Sequence, residues 1–290
     1  MNQLPILAGT AIVGLIYQAE AVPVSFTIEA VSHSEVANLY TTKAAPVGPD
    51  ILAALIPYRL LKNDKVTYHL RDKDKTALKI WAQEKLTGLT LFKVDKSYIR
   101  NTQTLLAPSN SLSRGQALFF PDSKNKSTQG VYIGMEHAIG NNSFPLRLIR
   151  AQFPKHAIPT IGQPCYDKED RLAGLVLGVS PKGTCHLLPA KAISFLATNP
   201  NAKRVRLGCL LDVNASTPII EGIINNGPLA RGGIQSGDIL ISINGNPIHN
   251  YGDMLDTTYY LTGDKNLTIE VIRGTQVINC KDISPTQDSR

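Results

Sequence analysis

Residues 159–178 read Pro159-Thr160-Ile161-Gly162-Gln163-Pro164-Cys165-Tyr166-Asp167-Lys168-Glu169-Asp170-Arg171-Leu172-Ala173-Gly174-Leu175-Val176-Leu177-Gly178. A proline- and glycine-punctuated turn is followed by an apolar run, Leu172–Val179, of the length of one buried strand. Outward from it, short apolar or alternating runs recur at Ser25–Ile28, Lys65–Leu70, Leu89–Val94, Ala117–Phe120, Gly130–Gly134 and Leu146–Ala151. Turn-rich segments such as Gly140-Asn141-Asn142-Ser143 separate them. Many short strands at regular spacing predict a mainly β barrel or sandwich.

The chain has 290 residues, 43% hydrophobic and 18% charged, enough for a large core and for two domains. The net charge of +7 is spread along the sequence, with no basic-aromatic stacking motif, so no nucleic-acid partner is expected. The six histidines show no H-x-H or H-x-x-x-H clustering and the four cysteines no C-x2-C, so neither a metal nor a cofactor is implied. Leu4–Tyr17 is almost wholly apolar and precedes Ala19-Glu20-Ala21, which matches an A-x-A cleavage site. Residues 1–21 therefore read as a signal peptide, and the protein as periplasmic or secreted; the alternative is an uncleaved anchor. The n-region is atypical, with no Lys or Arg before the apolar run.

Ala190–Ala197 reads as a short helix, followed by the polar linker Thr198–Lys203. From Val205 a second unit begins. Strands are expected at Gly208–Val213, Pro218–Ile224, Ile239–Ile243, Leu267–Ile272 and Gln276–Cys280, with helices near Pro228–Gly232 and Tyr251–Leu261. Gly237 and Gly245 supply turn conformations of positive φ, while Asp238 and Asn244 bond local backbone.

The run Gly227–Ile248, GPLARGGIQSGDILISINGNPI, resembles the HtrA-type PDZ signature G-S-P-A-A-x-A-G-L-x-x-G-D-x-I-x-x-x-N-G-x-P-I. The resemblance implies a small β-barrel with two helices over residues 203–285. Leu207-Gly208-Cys209-Leu210 matches the family's carboxylate-binding loop, whose backbone N–H groups capture a peptide C-terminus. Met254 and Thr258 on the last helix are expected to line the same groove. Upstream, residues 22–198 resemble the HtrA trypsin-like double β-barrel, the turn at 159–164 standing where the family carries G-N-S-G-G-P. On that resemblance Ile161 takes the place of the nucleophilic serine and Pro159 that of an oxyanion-hole glycine. Thr87-Gly88-Leu89-Thr90-Leu91-Phe92-Lys93-Val94 matches T-D-L-A-L-L-K-V, placing Gly88 at the catalytic aspartate. The stretch 51–61, where the family's histidine belongs, contains none. A shift of register does not restore the triad: no Asp lies between Asp74 and Asp95, and no Ser between Ser143 and Ser180. Four cysteines allow three pairings; the division into two units favours Cys165–Cys185 and Cys209–Cys280, against four small buried thiols.

Acyl transfer needs a nucleophile, an oriented imidazole and two oxyanion donors. Isoleucine offers no nucleophile and proline no N–H. The resemblance therefore implies an exported, catalytically inactive HtrA-like protein: a pseudoprotease binding peptides or protein C-termini through its PDZ domain, in a chaperone, adaptor or regulatory role. Active HtrA-type relatives and a homo-oligomer belong to the expected partners. The alternatives are an active endopeptidase with a non-standard site, built on Thr160 with His156 or His186, and a structural subunit of an HtrA-like assembly.

Overall fold

The computed structural model describes residues 26–288 except 33–38, 58–59, 61–65, 73, 100–103, 109–110, 122–126, 181 and 214. The expected signal peptide lies outside the described residues. Strands β1 (Phe26–Ser32), β2 (Leu39–Pro46), β3 (Ile51–Leu55), β4 (Val66–Leu70), β5 (Ala77–Glu84) and β6 (Leu89–Lys93) close a barrel in the order β1-β2-β3-β6-β5-β4. After the one-turn helix α1 (Lys96–Ile99) come β7 (Ala117–Pro121), β8 (Ser127–Ile139), β9 (Asn142–Gln152), β10 (Pro164–Asp167), β11 (Leu172–Val179) and β12 (Thr184–Pro189). They close a second barrel in the order β10-β11-β12-β9-β8-β7. The Leu172–Val179 run is β11 to the residue.

Both faces of β3 are buried, which explains its unalternating sequence. Leu52 and Ala54 fill the first barrel, while Ala53 and Leu55 face the second. Between the barrels one apolar cluster joins Leu55, Leu89 and Leu91 to Leu148, Tyr166 and Leu172. Helix α2 (Ala190–Thr198) adds Ala192, Ile193 and Leu196 to it. Burying each such side chain contributes roughly 1.5–3 kcal/mol, so this seam holds the barrels together.

The C-terminal unit contains β13 (Arg204–Arg206), β14 (Cys209–Leu211), β15 (Ile220–Ile223), the one-turn helix α3 (Pro228–Arg231), β16 (Ile239–Ile243) and β17 (Asn246–Pro247). It continues with helix α4 (Tyr251–Tyr259), β18 (Leu267–Arg273), β19 (Gln276–Ile283) and β20 (Thr286–Asp288). β17-β16-β18-β19 form one sheet; β14–β15 and β13–β20 form two ribbons around their own core of Leu207, Ile220, Leu240, Ile269 and Val271. Gly237 and Gly245 have φ of 92° and 75°, as their turns require. The Asn244 side chain accepts from Thr268 N at 2.8 Å. Asp238, 1% exposed, accepts from Gln235 N at 2.8 Å and from Arg273 Nε and Nη2, both at 2.8 Å.

The Arg273 hydrogen bonds hold the Asp238 carboxyl below its usual range, against the opposing effect of burial. A depressed carboxylate pKa gives stability that is present above the unfolded-state value near 4 and is lost as pH falls through the folded value. Asp238→Asn is therefore expected to cost roughly 2 kcal/mol at pH 7 and less at pH 3. Urea midpoints at both pH values check this; an equal loss at both contradicts it.

The expected disulfides are not formed: all four cysteines are free. Cys165 lies on β10 and Cys185 on β12, with β11 between them. The two are therefore not on neighbouring strands, although both thiols are buried in the core of the same barrel. Cys209 pairs in the β14–β15 ribbon and Cys280 in the four-stranded sheet, so these also belong to separate layers. Burial pushes the Cys185 thiol up to about 12 and Cys209 up to about 11, leaving both uncharged at neutral pH.

Candidate functional site

The first candidate is a groove of about 560 Å³ between β14 and α4. Its floor at one end is the Leu207–Leu210 turn. Gly208 has φ 77°, and an added Cβ would stand 3.2 Å from Pro228 Cδ and 3.4 Å from Gly227 Cα. Its carbonyl accepts from Ile224 N at 2.8 Å, and the Leu207 carbonyl from Leu229 N at 3.2 Å. These bonds pin the turn to the start of α3, where Pro228 occupies the first helical turn. β14 pairs with β15 alone, so its other edge faces the groove.

The opposite wall is α4. Its cap Asn250 accepts from Asp253 N at 3.0 Å, which fixes where the helix starts and hence which residues face β14. Tyr251, Met254, Leu255 and Thr258 line the groove at helical spacing. The Thr258 hydroxyl donates to the Met254 and Leu255 carbonyls at 2.8 and 3.0 Å, so toward the groove it presents mainly its methyl group. With Leu207, Leu211 and Met254, this makes an apolar pocket beside a turn of backbone amides. The arrangement can hold a terminal carboxylate and an apolar side chain together.

All six expected groove residues, Leu207, Gly208, Cys209, Leu210, Met254 and Thr258, line this one groove. Sequence reading missed Tyr251 and Leu255, which the i, i+3, i+4, i+7 spacing with Met254 and Thr258 signals. It also missed Ile224 and Thr286. Thr286 reaches the groove through β13–β20 pairing, and nothing local announces that strand.

The second candidate is a crevice of about 220 Å³ lined by Tyr40, Leu55, Ile56, Pro57, Lys85, Leu86, Thr87, Gly88, Ile161 and Leu177. It brings together Gly88, Ile161 and residues of the histidine-free stretch. Ile161 is 53% exposed at its rim. Gly88 has φ 76°, and its carbonyl accepts from Ile56 N at 2.8 Å. The buried Glu84 orders the turn beneath, accepting from Leu86 N, Thr87 N and Thr87 Oγ1 at 3.0, 2.9 and 2.7 Å.

On either side of Ile161 the backbone donors are taken or missing. Pro159 has none to give, Thr160 N donates to Gln163 Oε1 at 3.1 Å, and Gly162 N donates to Val176 O at 2.7 Å. Gln163 Nε2 is anchored on Pro121 O at 2.6 Å. The residues weighed for a substitute site do not meet. Thr160 Oγ1 donates to Gln163 at 3.3 Å, His186 Nε2 pairs with Glu136 at 3.1 Å, and His156 is exposed.

Residues 219–273 match the PDZ domain family. Among solved structures, the HtrA-type protease AlgW with a tripeptide aligns at TM-score 0.69 and 16% identity, covering 93% of this chain and 95% of that one. AlgW with a decapeptide aligns at 0.65 and 15%, covering 93% and 96%. The serine endoprotease from Yersinia pestis aligns at 0.59 and 15%, covering 92% and 95%. The fold is of the HtrA type. Two trypsin-like barrels are followed by a PDZ domain, as the sequence led one to expect. No curated protein sequence matches the chain. Within this HtrA-type fold the crevice lies against both barrels, Gly88 coming from the first and Ile161 from the second. The groove lies wholly in the PDZ unit. Among the described residues no helix is long and apolar enough to cross a membrane.

Proposed function

We propose that the protein binds polypeptides through their free C-termini, in the groove between β14 and α4, and that it does not hydrolyse them. The observation that carries this reading is the groove itself. A glycine turn of positive φ, an open strand edge and an apolar helix face converge on one cavity. AlgW has been solved with a tripeptide and with a decapeptide, which supports a peptide ligand for a chain of the same fold. The inert-barrel half of the reading rests on the crevice, which brings together Ile161 and Gly88, the residues that the resemblance puts in the places of nucleophile and orienting acid, and on Pro159 in that of an oxyanion donor. Thr160 and His186 are engaged by Gln163 and Glu136. Such a protein acts as a chaperone, adaptor or regulator, with active HtrA-type proteases among its partners. The apolar Leu4–Tyr17 run directs it to the periplasm or outside the cell.

Fluorescence polarisation tests the groove. A labelled decapeptide ending in Leu-Ala-Val with a free carboxylate is expected to bind at least tenfold more tightly than the same peptide amidated at its C-terminus. Equal binding of the two rules out terminal-carboxylate capture.

A further inference from the structure

Helix α4 has two working faces. Tyr251, Met254, Leu255 and Thr258 look into the groove, while Gly252, Asp253, Asp256, Tyr259 and Tyr260 look at the second barrel and α2. The contact to the barrel centres on Arg147 of β9. Its backbone N donates to Asp256 Oδ1 at 2.8 Å and its Nε to Asp256 Oδ2 at 2.7 Å. Its Nη2 reaches Asp253 Oδ1 at 3.0 Å. Gly252 makes room for this: a Cβ there would lie 2.7 Å from Arg147 Cδ, so only glycine lets the arginine stem cross the helix at that height.

Two further contacts brace the helix at its ends. The His137 ring of β8 meets the groove residue Tyr251 edge-on, centroids 5.2 Å apart. At the other end Phe195 of α2 packs on Tyr260 at 5.6 Å, and Lys191 Nζ sits 4.0 Å over the Tyr260 ring. Tyr259 is buried in the apolar cluster between the barrels.

Isolated surface ion pairs contribute little, because solvent screens them and both side chains lose freedom. The Arg147 arrangement differs in kind. One planar guanidinium bridges two carboxylates a turn apart, and a strand amide holds the second carboxylate as well. Such a clamp fixes the position and rotation of α4 more than it adds to stability, and α4 is one wall of the groove.

We propose that the second barrel serves as the abutment of the peptide groove, with Arg147 as the positioning residue that sets α4 relative to β14. This rests on the peptide-binding reading above. It gives the barrel a role that needs no chemistry. Because coupling between sites is reciprocal, peptide in the groove also tightens the α4–β9 junction.

The test uses the full chain and the labelled Leu-Ala-Val decapeptide, with Arg147→Met, Arg147→Lys, Asp256→Asn and Gly252→Val. Arg147→Met is expected to bind five- to tenfold more weakly at an unchanged melting temperature. Arg147→Lys restores about half of that loss on a logarithmic scale. Asp256→Asn keeps an acceptor for the Arg147 amide and falls between wild type and Arg147→Met. Gly252→Val displaces the arginine stem and weakens binding without removing a charge. Hydrogen exchange with and without peptide supplies a second readout: protection on binding extends to residues 145–149 in the wild type and is absent from them in Arg147→Met. Wild-type binding that all four variants match within twofold, with protection of 145–149 retained, overturns the abutment and leaves the groove reading standing. No binding by the wild type overturns both.

Discussion

Gly208→Glu is expected to weaken binding of the free-carboxylate decapeptide at least a hundredfold while the barrels keep their melting temperature. Three effects act in the same direction. An L-residue at φ 77° costs about 1–2 kcal/mol, which the loop relieves by turning its amides away from the groove. The new Cβ would lie 3.2 Å from the Pro228 ring and 3.4 Å from Gly227 Cα, neither of which is the free end of a flexible side chain. The added carboxylate then faces the place that the proposal gives to the ligand's own carboxylate. Two like charges about 4 Å apart repel by roughly 1 kcal/mol in water and 4 kcal/mol in a partly buried site. At 1.4 kcal/mol per factor of ten, the sum reaches two orders of magnitude or more. Gly208→Ala separates the contributions: it keeps the strain and the contact but brings no charge, and is expected to lose about tenfold. Polarisation titrations of both variants decide the matter. A glutamate variant that binds within threefold of wild type removes the Leu207–Leu210 turn from the binding site.

The parts of the fold legible in the sequence are those whose burial pattern is local. Leu172–Val179 and Ile239–Ile243 are each bounded by turn residues and sit where one strand is buried, and both were readable to the residue. β5 was not, because a bulge between Ile80 and Ala82 interrupts its alternation and leaves Ile80 and Trp81 outward together. β13 and β20 are three-residue strands that exist only because Arg204–Arg206 and Thr286–Asp288 find each other across the whole PDZ unit. The disulfides failed for a related reason. Compartment and domain membership suggested partners, but that Cys165 and Cys185 lie on strands separated by β11, with both thiols free, is a tertiary fact. For the groove, the glycine turn and the register of α4 were readable, whereas the barrel-facing side of that helix was not. Asp253 and Asp256 look like ordinary solvated acids until Arg147 is placed opposite them.

The crevice carries the largest expected effect on stability, in the attempt to rebuild what the resemblance says is missing. Gly88→Asp restores the acid of the triad in sequence, yet it is expected to lower the melting temperature by about 8–15 °C. A Cβ at residue 88 would lie 2.4 Å from the Ile56 carbonyl oxygen, a backbone atom that the Ile56–Gly88 hydrogen bond holds in place. Aspartate tolerates positive φ better than most residues, so the contact, more than the dihedral, decides the outcome. Relief requires breaking the hydrogen bond between Ile56 N and Gly88 O and opening the seam behind Leu55 and Leu89. It also sets a carboxylate against a carbonyl in a largely apolar crevice. Together these cost roughly 4 kcal/mol, at about 2–4 °C per kcal/mol for a domain of this size. Ile161→Ser, at an exposed rim position, is expected to fold normally and to remain unlabelled by a fluorophosphonate, with or without Pro159→Gly. A serine without an imidazole stays a weak nucleophile. Labelling of the wild type overturns the inert reading of the barrel, and a Gly88→Asp chain that melts within 2 °C of wild type overturns the geometry given for the crevice. The contact at Gly88 therefore predicts that a point substitution does not rebuild the site the resemblance implies: the Gly88 and Ile56 backbones lie closer than a side chain at residue 88 allows.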